Sequence, residues 1–215
     1  MKVLIVTSTP NKEGLTAACG EAARQGVVDG RSRARLVNLN EHEILRCAVC
    51  EDGWGPCRTK HRCRLEDDFA ELQKMFDEAE GFVWVTPVYF GEPSEAMKAF
   101  FDRLRRCEAT KADDAKSVVE GKPAICVAAA GGSGNGAVHC LAEMERLARQ
   151  LRGAPFDFIP VTRKTREYQT ETIHDAVAAM CKPKAVDSAM PISVRKGQKR
   201  SRKPRRRIRR RTPSE

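Results

Sequence analysis

Four of the nine cysteines stand close together, at Cys47, Cys50, Cys57 and Cys63, in the pattern C-x2-C-x6-C-x5-C. Thiolates grouped this closely are what a soft metal or an iron–sulfur cluster such as [4Fe-4S] needs, because each metal centre requires several sulfurs converging on it. The surrounding residues suit a ligand loop. Gly53, Gly55 and Pro56 break regular structure, and Glu66, Asp67 and Asp68 read as the opening of a helix. The same four thiols would also make a closed tetrahedral zinc site with no redox chemistry, or a reduced loop holding no metal. His61, between Cys57 and Cys63, either replaces one thiolate or is a solvated loop residue.

A second group of chemistry-bearing residues follows the apolar run Lys2 to Thr7. Ser8, Thr9, Asn11, Gly14 and Thr16 lie between that run and an Ala-rich stretch from Leu15 to Gln25. Strand, hydroxyl-bearing loop and helix together present backbone N–H groups to a phosphate. The glycine fingerprint of dinucleotide sites is absent, and hydroxyls at a helix N-terminus suit a terminal monophosphate such as that of FMN. Two more loops follow apolar runs. Pro87, Val88, Tyr89, Phe90 and Gly91 come after FVWVT (Phe82 to Thr86), and the two rings offer flat apolar surface for an isoalloxazine, or ordinary cover for a sheet edge. Gly131, Gly132 and Gly134 come after Ala124 to Ala130 and permit close backbone approach to a ligand.

The elements that must position these loops alternate. Strands are expected at Lys2 to Thr7, Ala34 to Leu39, Phe82 to Thr86, Ala124 to Ala130 and Phe156 to Val161. Helices are expected over Leu15 to Gln25, Asp67 to Ala79, Ser94 to Arg105, Ala137 to Arg152 and Thr170 to Cys181. Such alternation predicts an α/β fold, a parallel sheet covered on both faces, with all three loops at strand C-termini where open sheets bind ligands. Cys19, Cys107, Cys126, Cys140 and Cys181 fall on predicted elements and read as small buried hydrophobes. His139 and His174 fall on helices and suggest no acid–base role.

A chain of 215 residues suits one well-packed domain. No apolar run approaches the length of a signal-peptide core or a membrane span. Nine cysteines without a secretory signal argue for a reducing compartment, and the chain reads as cytoplasmic. Net charge is +10, but twelve of the 39 Lys and Arg fall in residues 195–211, leaving 27 bases against 29 acids elsewhere. Residues 182–215 are therefore expected to be a disordered basic tail following a domain of residues 1–181, with non-specific affinity for nucleic acid or another polyanion.

By its motifs the chain resembles the flavodoxin-like NAD(P)H-dependent FMN reductases, and within them the iron–sulfur flavoproteins. Thr7-Ser8-Thr9-Pro10 through Gly14 and Thr16 is similar to the family's phosphate loop, with Asn11 where Arg is usual and Leu15 where Asn is usual. Thr86 to Gly91, followed by Met97-Lys98 and Phe101-Asp102-Arg103, is similar to its Pro-Val-Tyr loop and following helix, and Gly131 to Gly134 corresponds to the third flavin loop. The cysteine stretch resembles the compact cluster motif, with six residues in a gap that is usually two. The resemblance implies a five-stranded sheet in the order 2-1-3-4-5, bound FMN, a nicotinamide nucleotide as electron donor, and a homodimer or higher oligomer. The redox chemistry would belong to the flavin, so no side chain is expected to act as a catalytic acid or base, and the electron acceptor is unnamed. The rival from another class is a non-enzymatic nucleic-acid-binding or regulatory protein with structural zinc in the cysteine loop.

Overall fold

The computed structural model describes residues 1–113 and 117–182. Its centre is a parallel sheet built from β1 (Lys2–Thr7), β2 (Arg33–Asn38), β3 (Gly81–Tyr89), β5 (Pro123–Ala130) and β6 (Ala154–Thr162), in the spatial order β2-β1-β3-β5-β6. The expected count of five strands is corrected to six. The extra strand, β4 (Glu92–Pro93), is two residues long and pairs antiparallel with the end of β3. Gly91, at φ +83°, turns the chain back and makes that short pairing possible, a turn too local for apolar patterning to reveal. The five long strands keep the expected spatial order.

Helices α1 (Leu15–Asp29), α3 (Phe69–Glu78), α4 (Glu95–Ala109), α5 (Ala137–Gln150) and α6 (Arg166–Cys181) cover the two faces. A single turn, α2 (Pro56–Thr59), lies within the cysteine stretch, where Pro56 takes the first helical position and loses no hydrogen bond by it. Helix α6 starts four residues before the expected Thr170. That threonine is inside the helix, and its hydroxyl bonds back to the Arg166 and Glu167 carbonyls. Of the expected tail, residues 182–215, all but Lys182 lies outside the described residues.

Alternation along the central strands separates two cores. On one face Phe82, Trp84 and Cys126 meet α3, α4 and α5; on the other Val83, Val85, Ile125 and Val127 meet α1 and α6. The first core is aromatic. Phe76 stacks on Phe82 with centroids 4.3 Å apart, and Trp84 meets Phe101 edge-on at 5.4 Å. Burying each such ring stabilises by about 1.5–3 kcal/mol, with about 0.5–1.5 kcal/mol more per ring pair. Across the second core α1 and α6 touch closely, because a Cβ at Gly26 would come within 2.4 Å of the His174 carbonyl oxygen. Register brings the strand ends level: Thr7 pairs with Asn38 and Val85, Pro87 with Ala129, and Ala130 with Thr162. The loops that follow β1, β3 and β5 therefore emerge side by side.

Candidate functional site

The loop after β1 is held by its own hydroxyls. Thr9 Oγ1 donates to the Asn11 carbonyl at 2.8 Å and accepts from the Asn11 N–H, while Asn11 Oδ1 accepts from the Glu13 N–H at 3.0 Å. Asn38, at the end of β2, clamps Thr9 on both sides, through its N–H at 3.1 Å and its carbonyl at 3.0 Å. Gly14 caps α1 with no side-chain hydrogen bond, so among the described residues no side chain caps the first N–H groups of that helix. Thr16 is buried in its first turn.

Ser8 is placed differently from its neighbours. It is fully buried; its hydroxyl donates to Thr86 Oγ1 at 3.2 Å and accepts from Ser94 Oγ at 2.8 Å. Thr86 Oγ1 donates to the Pro87 carbonyl and accepts from the Ser94 N–H, and Ser94 Oγ caps α4 at the Met97 N–H. This chain of hydroxyls joins the β1 loop to the end of β3 and the start of α4. Its members lie 78 and 86 residues apart in sequence for the two bonds of Ser8, which is why the sequence did not reveal it.

Pro87, Val88 and Tyr89 belong to β3 itself, since that strand runs to Tyr89; Pro87 is buried beside Ala129. Phe90 then leaves the strand at φ +52° with its ring wholly exposed, and Tyr89 is also exposed. The loop after β5 comes against this turn. A Cβ on Gly136, itself at φ +81°, would lie 2.7 Å from Gly91 Cα. Val88, Phe90 and Gly91 share a cavity with Gly132, Gly134 and His139. Among the described residues, chain neighbours aside, no heavy atom lies within 4 Å of where a Cβ on Gly131 or Gly132 would stand. His139, for which the sequence suggests no acid–base role, lines this cavity three residues past the last glycine of the loop.

Cys47, Cys50, Cys57 and Cys63 are partly exposed free thiols, and all four line one cavity whose far wall is α4, at Arg103, Arg106 and Cys107. Burial pushes the Cys107 thiol up to about 12, ahead of repulsion from Cys63 and Cys57, so it stays a protonated neighbour. Among the described residues no three His, Cys, Asp or Glu side chains are posed to hold a metal ion. The donor set nevertheless fits a thiolate-bound group. Four sulfurs free of disulfides share one cavity, and beside them the Nε atoms of Arg103 and Arg106 are buried with no partner among the described residues. The His61 ring bonds Thr110 Oγ1 at 3.0 Å, and its carbonyl accepts from Gln73.

Asp67 was read as part of a helix opening, but α3 starts at Phe69 and the Asp67 carboxylate ties the cysteine loop to α4. It takes Arg103 on both oxygens and accepts from the Leu45 and Phe69 N–H groups. Burial alone would raise Asp67; the Arg103 hydrogen bonds and those two N–H groups outweigh it and hold the carboxyl below its ordinary value.

Residues 1–179 match the family described as NADPH-dependent FMN reductase. The chain belongs to that family. An iron–sulfur flavoprotein of Methanocaldococcus jannaschii is 30% identical over 105 residues, which cover 49% of this chain and 52% of that protein. The chain spans about half the length of the curated relatives it matches. Two solved structures share the fold of this family member. The crystal structure of RosB with a bound 8-demethyl-8-formylriboflavin-5'-phosphate superposes at TM-score 0.64 and 15% identity over 84% of this chain and 79% of that one. A flavodoxin from the domain Archaea superposes at TM-score 0.55 and 12% identity over 84% and 96%. The parallel α/β sheet of this reductase-family chain is thus flavodoxin-like. Among the described residues no helix is long and apolar enough to cross a membrane.

Proposed function

We propose that the chain is an FMN-dependent oxidoreductase that takes electrons from a reduced nicotinamide nucleotide, with an iron–sulfur cluster held by Cys47, Cys50, Cys57 and Cys63. The observation that carries this reading is the joining of three loops into one cradle. Ser94, Ser8 and Thr86 link the first loop to the second through hydroxyls, and Gly136 packs against Gly91 to link the second to the third. In this reading Thr9, Asn11, Gly14, Thr16 and the α1 N-terminus hold the phosphate. Ser8 serves by fixing the loop, since its hydroxyl is already engaged. Pro87 to Gly91 and Gly131 to Gly134 frame the ring, with glycines where a side chain would intrude.

When bound, FMN supplies hydride acceptance from the nicotinamide and the release of electrons singly to a cluster or in pairs to a small acceptor such as a quinone. The relatives named as iron–sulfur flavoproteins and the four thiols around one cavity support the cluster; homodimerisation and a polyanion contact by residues 195–211 are proposed from resemblance and charge. Anaerobic purification, with flavin, iron and sulfide measured per chain and NADH and NADPH oxidation assayed, tests the whole. A chain that neither retains nor rebinds FMN overturns the flavin reading. Zinc at about one equivalent per chain in place of iron overturns the cluster, as does Cys50→Ala or Cys57→Ala with unchanged brown absorbance.

A further inference from the structure

Arg103, Arg106 and Cys107 lie at i, i+3 and i+4 on α4, hence on one face of it, and all three line the cavity of the four cysteines. The Arg103 side chain is fully buried. Its Nη1 donates to Asp67 Oδ2 and to the Leu45 carbonyl at 3.1 Å, its Nη2 to Asp67 Oδ1 at 2.9 Å, and its guanidinium lies 4.2 Å above the Phe69 ring. Arg106 donates through Nη1 to the Gly53 carbonyl and sits 5.1 Å from the centroid of Trp54. Gly53 and Trp54 belong to the six-residue stretch between Cys50 and Cys57, so Arg106 folds that long gap onto α4 and keeps both cysteines at one cavity.

In both arginines the Nε–H takes no part in these bonds. Nε of Arg103 and Nε of Arg106 are both buried and have no partner among the described residues. A buried N–H without an acceptor loses its hydrogen bond to water and gains none, so two of them beside four free thiols call for an acceptor. Sulfur carrying negative charge is the acceptor that this cavity's own chemistry offers.

We propose that Arg103 and Arg106 donate their Nε–H groups to the sulfur atoms of the cluster held by these cysteines, and so raise its reduction potential. The proposal rests on the iron–sulfur reading above. Both the hydrogen bonds and the two cations favour the form carrying the additional electron, because the added negative charge settles on sulfur that they face. Two variants separate charge from hydrogen bond: Arg106→Lys keeps the cation and loses the Nε–H, and Arg106→Met loses both.

The full chain is purified anaerobically, iron and sulfide are counted, and the cluster is titrated potentiometrically by visible absorbance and EPR. The midpoint is expected to fall from wild type to Arg106→Lys to Arg106→Met. The last should shift the reduction equilibrium about tenfold, which is 59 mV for one electron. Equal midpoints at equal iron content overturn the proposal. Releasing Trp54 could cost Arg106→Met its cluster, so a second measurement uses the wild-type chain alone. Labelled with nitrogen-15 arginine and reduced, it should show nitrogen-15 coupling to the cluster by pulsed EPR, and absence of coupling overturns the proposal. Wild-type protein with flavin but no iron overturns the cluster reading itself, and this inference with it.

Discussion

Replacing Gly136 by alanine probes the junction between the second and third loops of the cradle. Gly136 caps α5 at φ +81°, and the added methyl would stand 2.7 Å from Gly91 Cα, 3.1 Å from Gly91 N and 3.4 Å from Val88 Cγ1. The nearest two atoms are backbone, so no side chain can swing aside. Left-handed geometry costs a residue with a Cβ about 1–2 kcal/mol, and forcing an extra methyl into packed backbone about 1–3 kcal/mol. Together these destabilise the fold by roughly 2–5 kcal/mol, which lowers the melting temperature of a chain this size by roughly 4–20 °C. The same displacement moves Gly91 and Val88, so FMN affinity should fall at least about tenfold, or 1.4 kcal/mol. Gly132→Ala is the comparison, because among the described residues, chain neighbours aside, nothing lies within 4 Å of its Cβ position. It should leave the melting temperature unchanged and still weaken FMN, since its methyl enters the space assigned to the ring. Thermal melts and flavin fluorescence titrations read both quantities. Gly136→Ala with wild-type melting and wild-type FMN affinity would refute the idea that these loops form one cradle, and Gly132→Ala with undiminished affinity would remove the ring from that cavity.

Asn11→Asp keeps the side-chain acceptor that caps the Glu13 N–H and adds one negative charge to the first loop. Repulsion from a phosphate held there should weaken FMN by about 1–2 kcal/mol at this exposed position, roughly 5- to 30-fold, while Asn11→Arg should strengthen it; affinity indifferent to both changes places the phosphate elsewhere. His174, on α6, bonds Asp29 of α1 at 2.8 Å and Asp175 at 2.9 Å, and these hydrogen bonds raise it above its ordinary 6.5. Its folded value being the higher one, the tie between the helices is fully present below pH 6.5 and is lost as pH rises through the folded value. Wild type should therefore melt slightly lower above that range than below it, and His174→Gln should flatten the difference; identical profiles would show that the tie contributes nothing. Ending the chain after Pro183 removes the twelve cations of residues 195–211. Heparin retention at low salt should vanish while flavin content stays whole, and lost flavin would show that the removed segment takes part in the cradle.

The sequence by itself determined the parallel sheet and the edge that carries the loops. Val3 to Val6, Phe82 to Val85 and Ala124 to Ala130 are unbroken apolar runs because both faces of those strands are covered, and such runs are visible without knowing any partner. Glycines at 131, 132 and 134 and hydroxyls at 8, 9 and 16 were equally plain, since turn and capping chemistry acts over a few residues. What those residues do was not plain. Ser8 looked like its neighbour Thr9, yet its hydroxyl is buried between Thr86 and Ser94, and only the alignment of β1 with β3 could decide that. Cys107 read rightly as a buried thiol but not as a wall of the cysteine cavity, and Arg106 gave no sign that it would hold Gly53 from 53 residues away. Periodicity reports which face of an element is apolar; it carries no information on which distant loop lands on that face. That choice was made by the order and register of the strands, which set α4 under the cysteine loop and brought three separate turns to one edge.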